Sequence, residues 1–593
     1  MRTTTDLLAI CHTRLSPEAY RNLEQWLTDP NYQEFVSEVM SFVEFHRWEE
    51  VEDCFYTHLT VGTGGIRGHL GIGPNRINRR IIGEAAQGLV EFMKSFGGSA
   101  LTGGVVIGYE ARKQSLDFAK LCCEIFAANG IKSYLFPHLC ATPELSFAVR
   151  HFKTTAGVMI TASHNPKTDN GFKFYWSDGG QVVPPLDEKF MQCVTAVKGI
   201  TRIPFEQAQR KSLIQSVSKE LDVAYISAVR GLSLSKSRSA MIVFSPLHGA
   251  GSTNIVPVLT QEQFKVEVVP QQAEPDEAFP TARGTLINPE YDEVIALAMD
   301  SGKQKNADLV LVSDPDADRV GVAVMHQGSL VRLTGNEVGT VLTHYILSQM
   351  KRQNRMPPQG LVIKTYVTTS LIEDVGRSFG VEVRGDLLVG FKYIGEIIEK
   401  LTDPKNFIFA AEESLGYLAG TFTRDKDAAI ASLLLGELAS VLKDQKKTII
   451  DYLKMIHEQY GYYKNVLLVR EFAGKEGKIK LTAVMKAFRL NPPQELAGQK
   501  VLRTIDRYQP QLDASTMDTY KVGKTGDQFT LVLSEDEKTR VTIRPSGTEP
   551  TLKCYVQGFV PAGDNLEERS KNLDVLIAKI KDEIDQLITK NSS

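Results

Sequence analysis

The hydrophobic pattern of the chain changes period several times, and each change marks an element. Ser16-Pro17-Glu18 supplies a side-chain cap, a proline at the first helical position and an acid in the first turn. Leu23, Trp26 and Leu27 then follow at helical spacing until Asp29-Pro30 ends the run, and Phe35, Val36, Val39 and Phe42 predict a second helix. Residues 1–60 therefore read as a helical lead-in without chemistry of its own. Beyond them, short continuous apolar runs alternate with helical spacing, the pattern of strands buried under helices. The first block, 61–220, has such runs at 105–109 and 157–162, with a helix through Phe118, Leu121, Cys122 and Ile125 between them. The second, 221–335, has runs at 241–245, 265–269 and 308–312, and the third, 336–460, at 361–366, 381–384 and 407–411. The last block, 461–593, has runs at 465–469, 529–533, 541–543 and 552–556 and closes on a helix bearing Leu573, Leu576, Ile580, Ile584 and Leu587.

Composition narrows the class. A chain of 593 residues is too long for one core and predicts about three to five domains. Lys plus Arg (68) nearly balance Asp plus Glu (71), so no global charge asks for nucleic acid or an anionic membrane, and anionic ligands must be caught by local clusters. Seven cysteines without Cys-x-x-Cys spacing argue against a disulfide framework and a zinc site, and predict a reducing, cytoplasmic setting. The longest apolar stretch, 430–442, is short and contains Glu437, and the N-terminus lacks a signal-peptide core, so no membrane anchor is expected.

Six stretches carry candidate chemistry. The run 157–162 ends in Ser163-His-Asn-Pro166, which predicts Ser163 at the exposed carboxyl end of a strand, where open α/β sheets place ligands; an ordinary Ser-Asn-Pro turn is the alternative. Gly62-Thr-Gly-Gly-Ile-Arg-Gly68 allows close backbone approach to a phosphate beside the fork of Arg67, or is a flexible turn. Asn170-Gly-Phe-Lys-Phe-Tyr175 reads as a turn and a second strand, with Lys173 either solvated or a proton-transfer group. In Ser313-Asp-Pro-Asp-Ala-Asp-Arg319 an extended backbone would point Asp314, Asp316 and Asp318 to one side, toward one hard cation. An EF-hand is excluded because Arg319 and Met325 stand where it needs Gly and Glu; a solvated acidic turn is the other reading. Glu412-Glu-Ser414 is suited to sugar hydroxyls or to a helix N-terminus, and Arg544-Pro-Ser-Gly-Thr-Glu-Pro550 to an anion or to a hairpin.

Taken together and in this order, these stretches resemble the α-D-phosphohexomutase superfamily over nearly the whole chain: Thr161-Ala-Ser-His-Asn-Pro166 its phosphoserine loop, Asp314-Pro-Asp-Ala-Asp-Arg319 its metal loop, Glu412-Glu-Ser414 its sugar loop and Arg544–Pro550 its phosphate loop. The resemblance implies an α/β fold of four domains in a heart-shaped monomer, with a weak dimer as the alternative: three α/β domains and a C-terminal α+β domain, one loop from each lining a cleft. The Glu-Glu-Ser form is similar to the bacterial α-phosphoglucomutase and phosphopentomutase-like branch, and Gly416 stands where the mannose-handling group has a histidine.

That branch implies interconversion of glucose 1-phosphate and glucose 6-phosphate through a phosphoserine enzyme, with glucose 1,6-bisphosphate as intermediate and activator. Mannose or pentose phosphates are alternative substrates, and a sugar phosphatase or a non-catalytic binder are alternatives of another class. Carried over by motif, Ser163, Arg67 and Lys173 are the catalytic candidates, and Ser163 with Asp314, Asp316 and Asp318 the ligands for Mg²⁺. The substrate-binding candidates are His164, Arg319, Lys392, Glu412, Ser414 and Lys426, with Arg544, Ser546, Gly547 and Thr548 for its phosphate. A hinge is expected near Tyr460-Gly461.

Overall fold

The computed structural model describes the chain except for residues 1–2, 60–64, 283–285, 473, 509–524, 548–550 and 593, and the side chain of Lys475. Gly62, Thr63 and Gly64 of the glycine-rich stretch, and Thr548, thus lie outside the described residues. Helices Thr4–His12, Pro17–Thr28, Val36–Glu44 and Trp48–Phe55 bury Leu23, Trp26, Val39 and Phe55 in a small core of their own. Ser16 accepts the N–H of Ala19, so the cap read from the sequence is the one used.

The first sheet runs in the order Ile66–His69, Asp169–Trp176, Ala156–Ile160, Val105–Tyr109, Ser133–Leu135, Ile214–Ser216. The last four strands are mutually parallel, and Asp169–Trp176 is antiparallel to both of its neighbours. Alternate residues of the central strands face opposite layers. Val105, Ile107 and Val158 pack under helices Arg79–Lys94 and Ser115–Ala128, whereas Val106 and Met159 pack under Thr142–Phe152 and Lys219–Arg230. Burial on both faces is why these strands are apolar throughout.

The second sheet, in the order Ser329–Leu333, Val320–His326, Leu309–Ser313, Met241–Ser245, Lys265–Val268, and the third, Glu382–Arg384, Leu361–Lys364, Phe407–Glu412, Gly416–Ala419, share one core. The strands 320–326 and 329–333 are not among those the apolar pattern predicts; the first follows the Asp-rich loop at once and pairs back on Leu309–Ser313. Helix Ala428–Asp444 is apolar on every side, and it is buried on every side against this shared core. Its buried acid, Glu437, accepts hydrogen bonds from the Leu234 amide (3.0 Å) and the Tyr345 hydroxyl (3.2 Å). Among the described residues no helix is long and apolar enough to cross a membrane.

The last region is an antiparallel sheet, in the order Tyr462–Glu471, Thr551–Val560, Arg540–Pro545, Phe529–Val532, Arg503–Asp506, packed against helices Gly474–Leu490 and Leu566–Ser592. It docks on the third sheet through buried Arg540 and Gln557, which donate to the carbonyls of Tyr366 (2.8 Å) and Val367 (3.0 Å).

Candidate active site

The carboxyl ends of three sheets meet: Ser163 follows strand Ala156–Ile160, Asp314 follows Leu309–Ser313 and Glu412 ends Phe407–Glu412. Ser163 is not on an exposed strand end. It is 1% exposed, because the second sheet's Asp-rich loop closes over it, and its Oγ donates to Asp314 Oδ2 at 3.0 Å. Its backbone has φ of 53°, the left-handed region, and its N–H donates to Thr161 Oγ1 (2.7 Å). His164 Nδ1 lies 3.2 Å from the same Oγ. Burial, joined by the cations of Arg319, Arg67, Lys553 and Lys173, holds that imidazole well below its usual range and hence neutral.

The three aspartates converge, although not by alternation along an extended strand. Their loop is a turn with Ala317 at φ 51°, and Asp314 Oδ1 fixes it by accepting the amides of Asp318 (3.1 Å) and Arg319 (3.0 Å). One oxygen from each of Asp314, Asp316 and Asp318 lies within 4.8 Å of the others. Oδ1 of Asp316 and Oδ1 of Asp318 are buried without a hydrogen-bond partner among the described residues. Burial and the two neighbouring carboxylates push Asp314 far above the ordinary carboxylate range. Orphaned hard oxygens and close like charges are what a divalent cation relieves, so this donor set fits one.

Cations stand behind the aspartates. Lys173, 1% exposed, reaches Asp316 Oδ2 at 2.6 Å and Asp318 Oδ2 at 3.3 Å, and Lys426 reaches Asp318 Oδ2 at 2.9 Å. Burial raises Asp316, but Lys173 overrides it and holds that carboxyl below the usual range. Lys173 is thus neither solvated nor in contact with Ser163 Oγ.

Beside this cluster opens a cavity of about 350 Å³ lined by residues of the four larger sheets and the loops between their strands. Arg67, His164 and Arg319 line it near the serine, Glu412, Ser414 and Lys426 on the third-sheet side, and Arg544 and Ser546 on the far wall. Arg67 reaches its place because strand Ile66–His69 pairs with Asp169–Trp176, placing it opposite Gly171, where a Cβ would sit 2.4 Å from the Ile66 carbonyl oxygen. Glu412 to Gly416 form a β-hairpin turn rather than a helix start, and Glu412 accepts the Gly390 amide at 2.9 Å. Burial pushes Glu412 up to about 7, against the pull of Lys426. Gly547 is exposed beside Ser546, and Lys392 does not line the cavity: its Nζ is tied to Asp187 at 2.9 Å.

Several lining residues were not singled out from the sequence. Lys553 is the register partner of Arg544 on the neighbouring strand, and Tyr555 OH accepts from Arg544 Nη1 at 3.5 Å. The Leu-Lys-Cys-Tyr stretch by itself reads as an alternating strand, so only the pairing reveals them.

Family models described as phosphoglucomutase/phosphomannomutase α/β/α domains I, II and III match residues 58–199, 223–328 and 334–460. A phosphoglucomutase of Staphylococcus aureus (strain bovine RF122 / ET3-1) is 35% identical over 542 residues, covering 90% of this chain and 95% of its own. The chain belongs to the phosphoglucomutase/phosphomannomutase family. A Staphylococcus haemolyticus phosphoglucomutase is 34% identical with 90% and 96% coverage, which places the chain in the phosphoglucomutase branch of the α-D-phosphohexomutases. The fold is shared with parafusin, a phosphoglucomutase from Paramecium (TM-score 0.63, 18% identity, 90% of this chain and 96% of that one). It is shared too with a family protein of Burkholderia thailandensis (TM-score 0.60, 14% identity, 90% and 98%). Three α/β domains and a C-terminal domain of mixed helices and sheet, the fold the sequence resemblance implies, are the architecture found.

Proposed function

We propose that this enzyme interconverts glucose 1-phosphate and glucose 6-phosphate, with Ser163 carrying a phosphoryl group in the resting state. One observation carries the reading. Ser163 Oγ is held 3.0 Å from Asp314 and 3.2 Å from His164 Nδ1, and His164 lines the same cavity as Arg544 and Ser546, so a phosphate gripped by that pair leaves the other end of the sugar to face the serine's side. The likeness to the staphylococcal phosphoglucomutases supports glucose as the sugar.

Asp314, Asp316, Asp318 and a phosphoserine oxygen would hold Mg²⁺. When bound, that ion offsets the phosphoserine charge and makes its phosphorus more electrophilic. The chain's own residues do the rest. Arg544 and Ser546 bind the substrate's existing phosphate, and binding at that remote point positions the free hydroxyl, the main lever in phosphoryl transfer. The hydroxyl oxygen bonds to phosphorus as the bond to Ser163 Oγ breaks, and the hydroxyl's proton ends on Oγ, giving the bisphosphate and a free serine hydroxyl. Arg67 stabilises charge on the transferring group, His164 orients Oγ, and Lys173, rather than moving a proton itself, holds the carboxylates of Asp316 and Asp318 in place from behind. The bisphosphate then turns end for end, Glu412 and Ser414 accepting its hydroxyls in both poses, and its other phosphate returns to Ser163. A hinge at Gly461, which follows the last turn of helix Ile449–Tyr460 with φ of 97°, lets the last domain open for this exchange.

Phosphorus NMR with Mg²⁺ and a trace of bisphosphosugar, offering glucose, mannose and ribose 1-phosphates together, tests the substrate. Fastest conversion of the glucose ester to its 6-phosphate is expected. Preference for another sugar would overturn glucose, and inorganic phosphate as the main product would overturn the mutase.

A further inference from the structure

Against the serine's backbone, and outside the residues that line the cavity, lies a buried ion pair that no step above uses. Strand Val105–Tyr109 runs into Glu110-Ala-Arg112, and both charged side chains are fully enclosed. Arg112 Nε donates to Glu110 Oε1 at 2.7 Å. Its Nη1 donates to the carbonyls of Pro166 (2.6 Å) and Asp169 (2.9 Å), and its Nη2 to those of Ser163 (2.6 Å) and Asn165 (2.7 Å). A guanidinium has five N–H donors, and here every one has its own acceptor. The circuit closes through Thr161, whose Oγ1 donates to Glu110 Oε1 (2.9 Å) and accepts the Ser163 N–H (2.7 Å).

We propose that Arg112 is a positioning residue for the phosphoryl carrier: it gathers four carbonyls of the 163–169 loop, with Glu110 and Thr161 anchoring the Ser163 amide, and so holds Ser163 where Oγ meets Asp314. This rests on the reading of Ser163 as the phosphorylated residue. The left-handed backbone of Ser163, at φ 53°, is one a serine rarely adopts, and it persists only where the surroundings impose it. Arg112 anchors the carbonyl side of that residue and Thr161 the amide side. A lysine cannot substitute, because its three donors radiate from one point and cannot span four carbonyls and a carboxylate. Arg112 does not line the cavity, so its loss acts on the transfer step and leaves substrate binding alone.

The test uses the full-length enzyme, with Arg112→Lys and Thr161→Val beside wild type, glucose 1-phosphate as substrate, and intact mass to count phosphoryl groups on Ser163. Displacement of a reacting atom by about 1 Å lowers turnover on the order of 100-fold, the loss expected in kcat for Arg112→Lys, with KM changed less than about twofold. Thr161→Val is expected to lose about tenfold in kcat, and the phosphoserine phosphorus resonance to shift in both variants. A kcat within about threefold of wild type in Arg112→Lys, or a loss confined to KM, overturns the proposal. Should Arg112→Lys fail to fold, Thr161→Val decides alone: an unchanged kcat and an unshifted resonance overturn it. Wild type that turns over with no phosphoryl group on Ser163 would instead sink the phosphoserine reading itself, an outcome distinct from a phosphorylated wild type whose variants are unaffected.

Discussion

On the wall of the cleft where reaction is proposed, Ser163, Asp314, Asp316 and Asp318 are each no more than 1% exposed, and Lys173 is paired behind them. On the opposite wall Arg544 and Ser546 are half-buried, Gly547 is exposed, and the side chains stand on an antiparallel sheet that docks through Arg540 and Gln557 and through Tyr463, which joins the shared core. The contrast matches two demands. A phosphoryl group must be delivered to a fixed point, which calls for oxygens and charges placed in advance and shielded from water. A sugar phosphate must enter, reverse and leave, which calls for a grip that releases. On the proposed mechanism, burial marks the groups that act on phosphorus, and partial exposure those that grip the sugar's other phosphate.

Substitutions on the two walls should then fail differently. Ser163→Ala removes the carrier and is expected to lower kcat by about 10⁴-fold or more with the fold intact; residual turnover near wild type would break the comparison at its centre. Asp316→Asn should lower kcat by about 10³-fold, several kcal/mol of charge stabilisation, and chelation of divalent cations should have an equal effect on wild type but little on the variant. Asparagine is preferred to alanine, because alanine would strip Lys173 of its 2.6 Å partner and destabilise the protein by about 3 kcal/mol. Arg544→Lys, on the gripping wall, should raise KM about tenfold while kcat falls less, since a point charge replaces a bidentate fork. If kcat fell and KM held, the two walls would not divide the work as proposed.

The smallest effect concerns pH. Glu412 is pushed up to about 7, so its carboxylate form, the hydroxyl acceptor, grows in as pH rises through that value. Activity at limiting substrate should rise severalfold over that window, and Glu412→Gln should lose this limb. A raised carboxyl stabilises the folded state below its unfolded pKa of about 4.3 and loses that contribution as pH rises to about 7. The wild-type melting temperature should accordingly fall across this range by more than that of the variant.

Much of this was legible in the sequence. The central strands show as continuous apolar runs because helices cover both faces, and the motif loops show because strand ends carry chemistry-bearing residues. Asp314, Asp316 and Asp318 were legible as a group, but the reason lay in a turn held by Asp314 Oδ1, which no period of two predicts. Long-range pairing was not legible. Lys173 reads as a strand lysine until the second domain's aspartates are set against it, and Lys553 becomes a cleft residue only through its register with Arg544. Lys392, a substrate-binding candidate carried over by motif, is claimed by Asp187 from the first domain. Glu110-Ala-Arg112 looks like a solvated turn after a strand; only the fold shows that five acceptors converge on it.

The central claim is that Ser163 passes its phosphoryl group to a sugar and takes one back. The direct measurement loads Ser163 with a radiolabelled phosphoryl group and mixes the purified enzyme with excess unlabelled glucose 1-phosphate. The account predicts that the label leaves the protein for glucose bisphosphate and the hexose monophosphates while Ser163 remains phosphorylated from the unlabelled pool. Label retained on the protein during turnover, or released as inorganic phosphate, would contradict it.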